Sequence, residues 1–511
     1  MEPAVRLVNV TKTFGDVTAN NRINLSIERR EILAVLGENG SGKTTLMDMI
    51  AGIYFPDFGH VFVDGSEVTI RSPRDAFDLG IGMIHQHYKL VEVLTAAENI
   101  ILGLPGKVKL DRHSIAEDIA QIAEKYGFEL NPWKKVYDMS ISEKQTVEII
   151  KALYRGASIL ILDEPTAVLT PQETEKLFSV LRNMRNDGKA VVIITHKLHE
   201  VMAVSDKVAV LRKGEYAGTV DTSETSPQEL TEMMVGRAVS LNIDRPEPET
   251  HGERLVLSGV TCLSEENYHA LDDVSFSVFG GEILGIAGVA GSGQRELCEA
   301  ITGLYPVKSG TIEYFPPDGG KTENLEGKTP LDIRRLGVVM AFVPEDRLGM
   351  GLVAGMDMVH NMMLKGYNRG RGMFADRRQP RRLAEDIIKQ LEVVTPGVST
   401  PVRRLSGGNV QKVLVGREIS TGPSVLIAAY PVRGLDINSS YTIYRLLNEQ
   451  KKQGVAVIFI GEDLDVLLEL CDRIAVLCGG KISGVVDART ATKEEVGLLM
   501  THVSGAGGDT A

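Results

Sequence analysis

Short, unbroken apolar runs punctuate the chain. In the first half they are "EILAVLG" from Glu31, "SILILDEP" up to Pro165 and "AVVIITH" up to His196. The second half repeats the series as "EILGIAG" from Glu282, "SVLIAAYP" and "AVIFIGE". Runs this short and this fully apolar predict strands covered on both faces, and helical stretches separate them. The pattern predicts an α/β fold with a mainly parallel core sheet. In each half the first strand leads into a glycine loop and then a helix.

The two halves are related in register. "EILAVLGENGSGKTTLMDMIAGIYFPDFG" and "EILGIAGVAGSGQRELCEAITGLYPVKSG" hold one offset of 251 residues at Gly37/Gly288, Gly40/Gly291, Gly42/Gly293, Leu46/Leu297, Gly52/Gly303 and Tyr54/Tyr305. An internal duplication is the economical explanation. It divides the chain into a domain over 1–241, a linker over 242–254 and a second domain over 255–503. The join "NIDRPEPETHGER" is polar, proline-bearing and non-periodic. The tail, 504–511, has the composition of a disordered segment.

Composition adds boundaries. At 511 residues the chain is too long for one core, and 43% hydrophobic with 24% charged residues is ordinary for a globular protein. A net charge of -12 argues against a nucleic-acid partner, which needs a broad basic face. Four cysteines, none in a CxxC pair, argue against a zinc site or a disulfide framework. The start does not read as a secretion signal, and no apolar run is long enough to span a bilayer. Membrane association is therefore expected only through a partner.

The first half carries phosphate chemistry. "GENGSGKT", Gly37 to Thr44, is a full P-loop in its confirming context, strand before and helix after. Gly37, Asn39, Gly40, Ser41 and Gly42 form a turn whose N–H groups can face phosphate, and the helix beginning near Thr45 adds its positive end. Lys43 supplies a mobile charge for the β- and γ-phosphates of ATP, and Thr44 a hydroxyl ligand for Mg2+. Asp163 ends a buried strand, where it suits the metal shell; Glu164 beside it suits orienting or deprotonating the attacking water. His196 ends the next strand and can contact the γ-phosphate. Gln86, in "HQHYKL", is a candidate metal and water ligand. Phe14 is either an adenine-stacking ring or a core aromatic.

The series P-loop, "HQHYKL", "SISEKQ", "ILILDEPT" and "ITH" resembles the nucleotide-binding domain of ABC transporters, and the second half matches it through "LSGGN". The chain resembles the tandem ATPase subunit of bacterial carbohydrate and nucleoside importers. That resemblance implies two P-loop ABC domains, each a RecA-like α/β core with an antiparallel β subdomain and a helical subdomain. It also implies two transmembrane permease partners, a substrate-binding lipoprotein acting indirectly, and a peripheral place on the cytoplasmic face of the inner membrane. In the family two domains pair head to tail, so that each ATP lies between one P-loop and the other domain's signature loop.

The halves differ at the positions that do chemistry. Lys43 is matched by Gln294, Thr44 by Arg295, Gln86 by Glu345, Asp163 by Ala429, Glu164 by Tyr430 and His196 by Glu462. The signature loops are biased the other way. Ser406, Gly407 and Gly408 stand in "LSGGN", whereas "MSISE" puts Ile141 and Ser142 where the glycines belong. Asp436 in "GLD" is matched by Thr170 in "VLT". Head-to-tail pairing would collect the competent parts in one ATP site and the defective parts in the other.

The cargo does not touch this chain on the family reading. "HQH" followed by an aromatic resembles the nucleoside branch more than the ribose or galactose branch. Tyr88 to Leu104 and Leu348 to Leu364 are the expected permease-facing segments. The basic run Arg369 to Arg382 reads either as a solvated face or as a neighbour of an anionic leaflet. The rival classes are a soluble tandem ABC ATPase acting on ribosomes or DNA and a regulatory nucleotide sensor. A short acidic join without zinc spacing disfavours the first; Glu164 and His196 disfavour the second.

Overall fold

A computed structural model describes the chain except residues 1, 16, 86–87, 105–111, 168, 196, 237–242, 250–251, 265, 290, 336–339, 345–346, 365–375, 434, 436, 462 and 502–511. It divides into two compact units, Met1–Ser240 and Leu241–Ala511. Gln86, His196, Asp436 and the tail 504–511 lie outside the described residues.

The first unit has ten strands: β1 (Val5–Phe14), β2 (Val17–Ile27), β3 (Ile32–Leu36), β4 (Phe58–Val63), β5 (Ser66–Val68), β6 (Ile81–Ile84), β7 (Ile159–Asp163), β8 (Ala190–Thr195), β9 (Lys207–Arg212) and β10 (Glu215–Asp221). They form a four-stranded sheet ordered β2-β1-β4-β5 and a six-stranded sheet ordered β10-β9-β3-β8-β7-β6. The small sheet is antiparallel; the large one is parallel except where β10 returns along β9. Every residue of β3, β7 and β8 is buried, as their apolar runs require. In such sheets the functional crevice lies beyond the carboxyl ends of the strands. β3 ends there at the glycine loop and β7 ends there at Asp163.

The second unit repeats the plan with β11 (Glu253–Leu263), β12 (His269–Phe279), β13 (Ile283–Gly288), β14 (Ser309–Tyr314), β15 (Glu323–Asn324), β16 (Met340–Val343), β17 (Val425–Ala429), β18 (Ala456–Ile460), β19 (Arg473–Cys478) and β20 (Lys481–Asp487). Its sheets are ordered β12-β11-β14-β15 and β16-β17-β18-β13-β19-β20. Matching anchors recur as well. Asp206 accepts from the Ile32 amide at 2.8 Å, and Asp472 from the Ile283 amide at 2.9 Å. Each fixes the start of a P-loop strand. The helices between the sixth and seventh strands form a separate apolar cluster in the first unit, and in the second unit they share one cluster with residues of β13, β17 and β18.

The described part of the 242–254 segment is docked on the second unit. Arg245 donates to the carbonyls of Leu468 and Cys471, both at 2.7 Å. Lys451 donates to Pro246 O while paired with buried Asp472 at 2.7 Å. Its last two residues already belong to β11. Among the described residues no helix is long and apolar enough to cross a membrane.

Candidate nucleotide sites

In the first unit the glycine loop between β3 and helix Lys43–Ile50 is held from outside. A Cβ on Gly37 would fall 2.4 Å from Leu211 O, and one on Gly42 2.3 Å from Ala19 O. Gly42 has a φ of +95°, which glycine alone adopts without strain. Lys43 is buried, and its ammonium folds back to donate to Gly37 O at 2.7 Å and Glu38 O at 3.0 Å. Burial holds its pKa below the usual lysine value, opposed by Glu164, Asp163 and Glu38. Ser41 Oγ is buried without a hydrogen-bond partner among the described residues. Asn39 and Gly40 are exposed at the mouth, and Thr45 lies in the first turn of the helix.

Asp163 ends β7 with Thr44 Oγ1 donating to its Oδ2 at 3.3 Å. Its pKa is pushed up to about 6, by burial first and by Glu164 next. A hydroxyl beside an acid that resists ionisation is a donor set suited to a hard divalent cation, whose charge would favour the carboxylate. The residues present fit Mg2+ with a nucleotide phosphate. Glu164 follows with a φ of +46° while its amide donates to Ile194 O at 2.9 Å. A non-glycine residue held there stores strain, a common feature of sites built for chemistry.

Phe14 ends β1, 43% exposed, and meets Tyr54 edge-on with centroids 5.1 Å apart. It is thus no core aromatic. Lys12 lies 5.5 Å from its ring and pairs with Asp57 at 2.9 Å. Asp57 also accepts from the Thr13 amide and hydroxyl, both at 2.7 Å.

The second unit keeps the backbone and drops the chemistry. Gly291 and Gly293 have φ of +87° and +105°, against +79° and +95° at Gly40 and Gly42. Gln294 is buried like Lys43, but its amide donates to Val289 O at 3.1 Å. Arg295 turns out to Glu299 at 2.7 Å, so no hydroxyl faces the end of β17. Buried Ala429 stands where Asp163 does. Tyr430 retains the left-handed turn, with φ +50° and its amide on Ile460 O at 2.9 Å.

Both signature serines cap helices. Ser140 caps Ile141–Tyr154 in a reciprocal box with Glu143. Ser406 caps Gly407–Ile419 and accepts from Asn409 Nδ2 at 2.9 Å. Neither Gly407 nor Gly408 has a positive φ, and a Cβ on Gly408 would make only an ordinary contact with Leu435 at 3.4 Å. The fold of this unit therefore does not demand glycine at 408. Thr170 caps helix Pro171–Asn186 in another reciprocal box, a structural duty.

One buttress escaped the sequence reading. Asn20 is fully buried on β2 and donates to Gly42 O at 3.2 Å. At the same offset of 251 the second unit has Leu271, whose side chain abuts Gly293. Extending the repeat upstream of the P-loop would have revealed this seventh difference; no single-residue motif marks it.

A phosphate loop and an acid-tipped strand flanking β8, on a fold that occurs twice in one chain, define a tandem P-loop ATPase. The family model for the ABC transporter matches residues 20–167 and again 271–432. The chain is 42% identical over 98% of its length to the guanosine import ATP-binding protein NupO of Bacillus subtilis, also covering 98% of that protein. It is 39% identical to the nucleoside import ATP-binding protein NupA of Lactococcus lactis, with 98% of each chain covered. It is likewise 39% identical to the glucose import ATP-binding protein TsgD13 of Haloferax volcanii, covering 98% of this chain and 96% of that one. The chain belongs to the ABC transporter family, among the ATP-hydrolysing subunits that serve import.

Proposed function

We propose that the chain energises nucleoside uptake through two membrane permeases, fed by a substrate-binding lipoprotein, at the cytoplasmic face of the inner membrane. One ATP site hydrolyses: the P-loop of the first unit completed by "LSGGN" of the second. The observation that carries this reading is the complementary loss of motifs, with phosphate and acid groups kept in one half and signature glycines in the other. The nucleoside is favoured by the relatives NupO and NupA, a guanosine and a nucleoside import ATP-binding protein.

Mg2+, bound with the nucleotide, would neutralise charge developing on the phosphate oxygens. Lys43 exchanges its two carbonyl partners for β- and γ-phosphate oxygens. Thr44 and Asp163 would hold the cation, and the family resemblance adds Gln86 as a further ligand. Glu164 orients the attacking water or takes its proton, and His196 contacts the γ-phosphate. Ser406, the amides of Gly407 and Gly408, and Asp436 are the groups that the family's head-to-tail pairing would bring to that phosphate. Phe14 stacks on adenine. The exposed apolar residues Val91, Val93 and Leu102, and Leu348, Met350, Val353 and Met356, suit the two permease-facing segments.

The test is uptake in proteoliposomes holding the chain, its permeases and the lipoprotein. Labelled guanosine is expected to accumulate with ATP, and excess ribose or glucose to leave it unaffected. A second reading, sugar uptake, rests on the glucose-importing relative; competition by a sugar alone would establish it. Glu164→Gln is expected to retain ATP binding and lose at least about 100-fold in turnover. Robust hydrolysis by that variant would refute the catalytic assignment.

A further inference from the structure

The segment after β16 contains a device that the described residues of the first unit do not share. Two fixed points align the units here. Tyr88 and Arg347 each stand four residues past the end of their strand, β6 or β16. Further on, Asn99 Oδ1 accepts from the Val91 amide and Asn361 Oδ1 from the Val353 amide, both at 2.8 Å. Tyr88 precedes Val91 by three residues, whereas Arg347 precedes Val353 by six. The three extra residues fall in a π-turn, Arg347–Gly351, closed by the Leu352 amide on Arg347 O at 2.7 Å. Single π-turns of this kind are frequent at functional sites.

The turn is clamped to the signature helix Gly407–Ile419 at both ends. At its head, Arg347 Nη1 donates to Gly407 O at 3.3 Å, and Nη2 donates to Arg433 O in the turn after β17. At its tail, Arg417 Nη2 donates to Gly351 O at 2.7 Å while held by Glu418 at 2.6 Å. A Cβ on Gly351 would fall 2.7 Å from Leu414. At the positions of Arg417 and Glu418 the first unit has Lys151 and Ala152. At the position of Arg347 it has Tyr88, with one hydroxyl in place of a planar five-donor fork. The clamp therefore occurs in the unit whose signature loop is intact.

We infer that Arg347 is a positioning residue for ATP hydrolysis: it ties the signature loop at Gly407 to the turn at Arg433 and to the permease-facing segment. This rests on the reading that "LSGGN" completes the hydrolytic site. Gly407 acquires a reason from the same contact, since a Cβ there would stand 3.2 Å from Arg347 Nη1. A fork gripping two backbone carbonyls fixes the spacing between two irregular loops, which neither loop secures alone. Displacement of the Gly407 amide by a fraction of an ångström is enough to weaken a phosphate contact.

The test uses the full chain, with steady-state kinetics and thermal unfolding on Arg347→Ala, Arg347→Lys and Ser406→Arg. Arg347→Ala is expected to lower kcat about 10- to 100-fold. Its KM for ATP should stay within about twofold, because adenine and the P-loop are untouched. Its melting midpoint should match wild type, and Arg347→Lys should recover part of the kcat by keeping one donor on Gly407 O. Wild-type kcat in Arg347→Ala, with Ser406→Arg inactive, overturns the inference and spares the composite site. A lowered midpoint without recovery by lysine also overturns it, since the arginine is then merely structural. An active Ser406→Arg refutes the reading beneath both.

Discussion

Asn20 shows how a single side chain can separate two otherwise matched loops. Its amide braces the carbonyl of Gly42 one residue before Lys43, and its Oδ1 is buried without a partner among the described residues. Leu271 fills the same place with an apolar side chain. Asn20→Leu should therefore loosen the P-loop of the first unit toward the state of the second. We expect a rise of about three- to tenfold in KM for ATP, the effect of losing one hydrogen bond of roughly 1 kcal/mol. Nucleotide titration checks this, and an unchanged affinity would reduce Asn20 to packing. Lys43 and Thr44 were legible as candidates from the P-loop spacing, and Asp163 and Glu164 from the end of a buried apolar run. Asn20 and Arg347 were not, since each acts on backbone carbonyls far away in sequence, and such partners leave no local pattern.

Among the elements, the core sheets were legible and the small antiparallel ones were not. β3, β7 and β8 are buried throughout, so their sequences are uninterrupted apolar runs. β1 and β2 are half exposed and joined across several register shifts, which blur the alternation a half-buried strand would show. That layer was expected only through the family resemblance. Its tip, where Asp57 holds Lys12 and Thr13 beside Phe14, also yields a pH prediction. Bonds from Lys12 and then Thr13 lower the Asp57 pKa to about 2. A depressed acid contributes stability that is present above its unfolded pKa, near 3.8, and is lost as pH falls toward 2. The melting difference between wild type and Asp57→Asn should stay constant from about pH 8 to pH 5 and shrink below about pH 4. Thermal scans across that range test it; a difference growing with acidity would reverse the assignment.

Across the whole molecule, the two signature serines make a matched pair of controls. Each caps a helix, so Ser140→Arg and Ser406→Arg should both cost about 1 kcal/mol of stability. Only Ser406→Arg should abolish turnover, because its loop is the one proposed to meet the γ-phosphate. Parallel ATPase and melting measurements separate the two effects. Equal turnover losses would refute the division of labour between the halves. The complementary loss of motifs behind that proposal was the most legible feature of the chain, since a duplicated sequence supplies its own reference. Less legible was the join: a polar, proline-bearing stretch reads as a spacer, yet Arg245 and Lys451 fasten part of it to the second unit.

The turn shared by Glu164 and Tyr430 bears on how such a chain came to be. A copy released from selection would first lose whatever is awkward to maintain, and a left-handed tyrosine at φ +50° is awkward. It stands beside an alanine that offers no metal ligand, so the turn is kept where the acid is not. The loop keeps its shape while its side chains differ. A reversal is then a matter of side chains at Gln294, Arg295, Ala429 and Tyr430, with Leu271 as the less obvious addition, on turns whose φ values match those of the first unit.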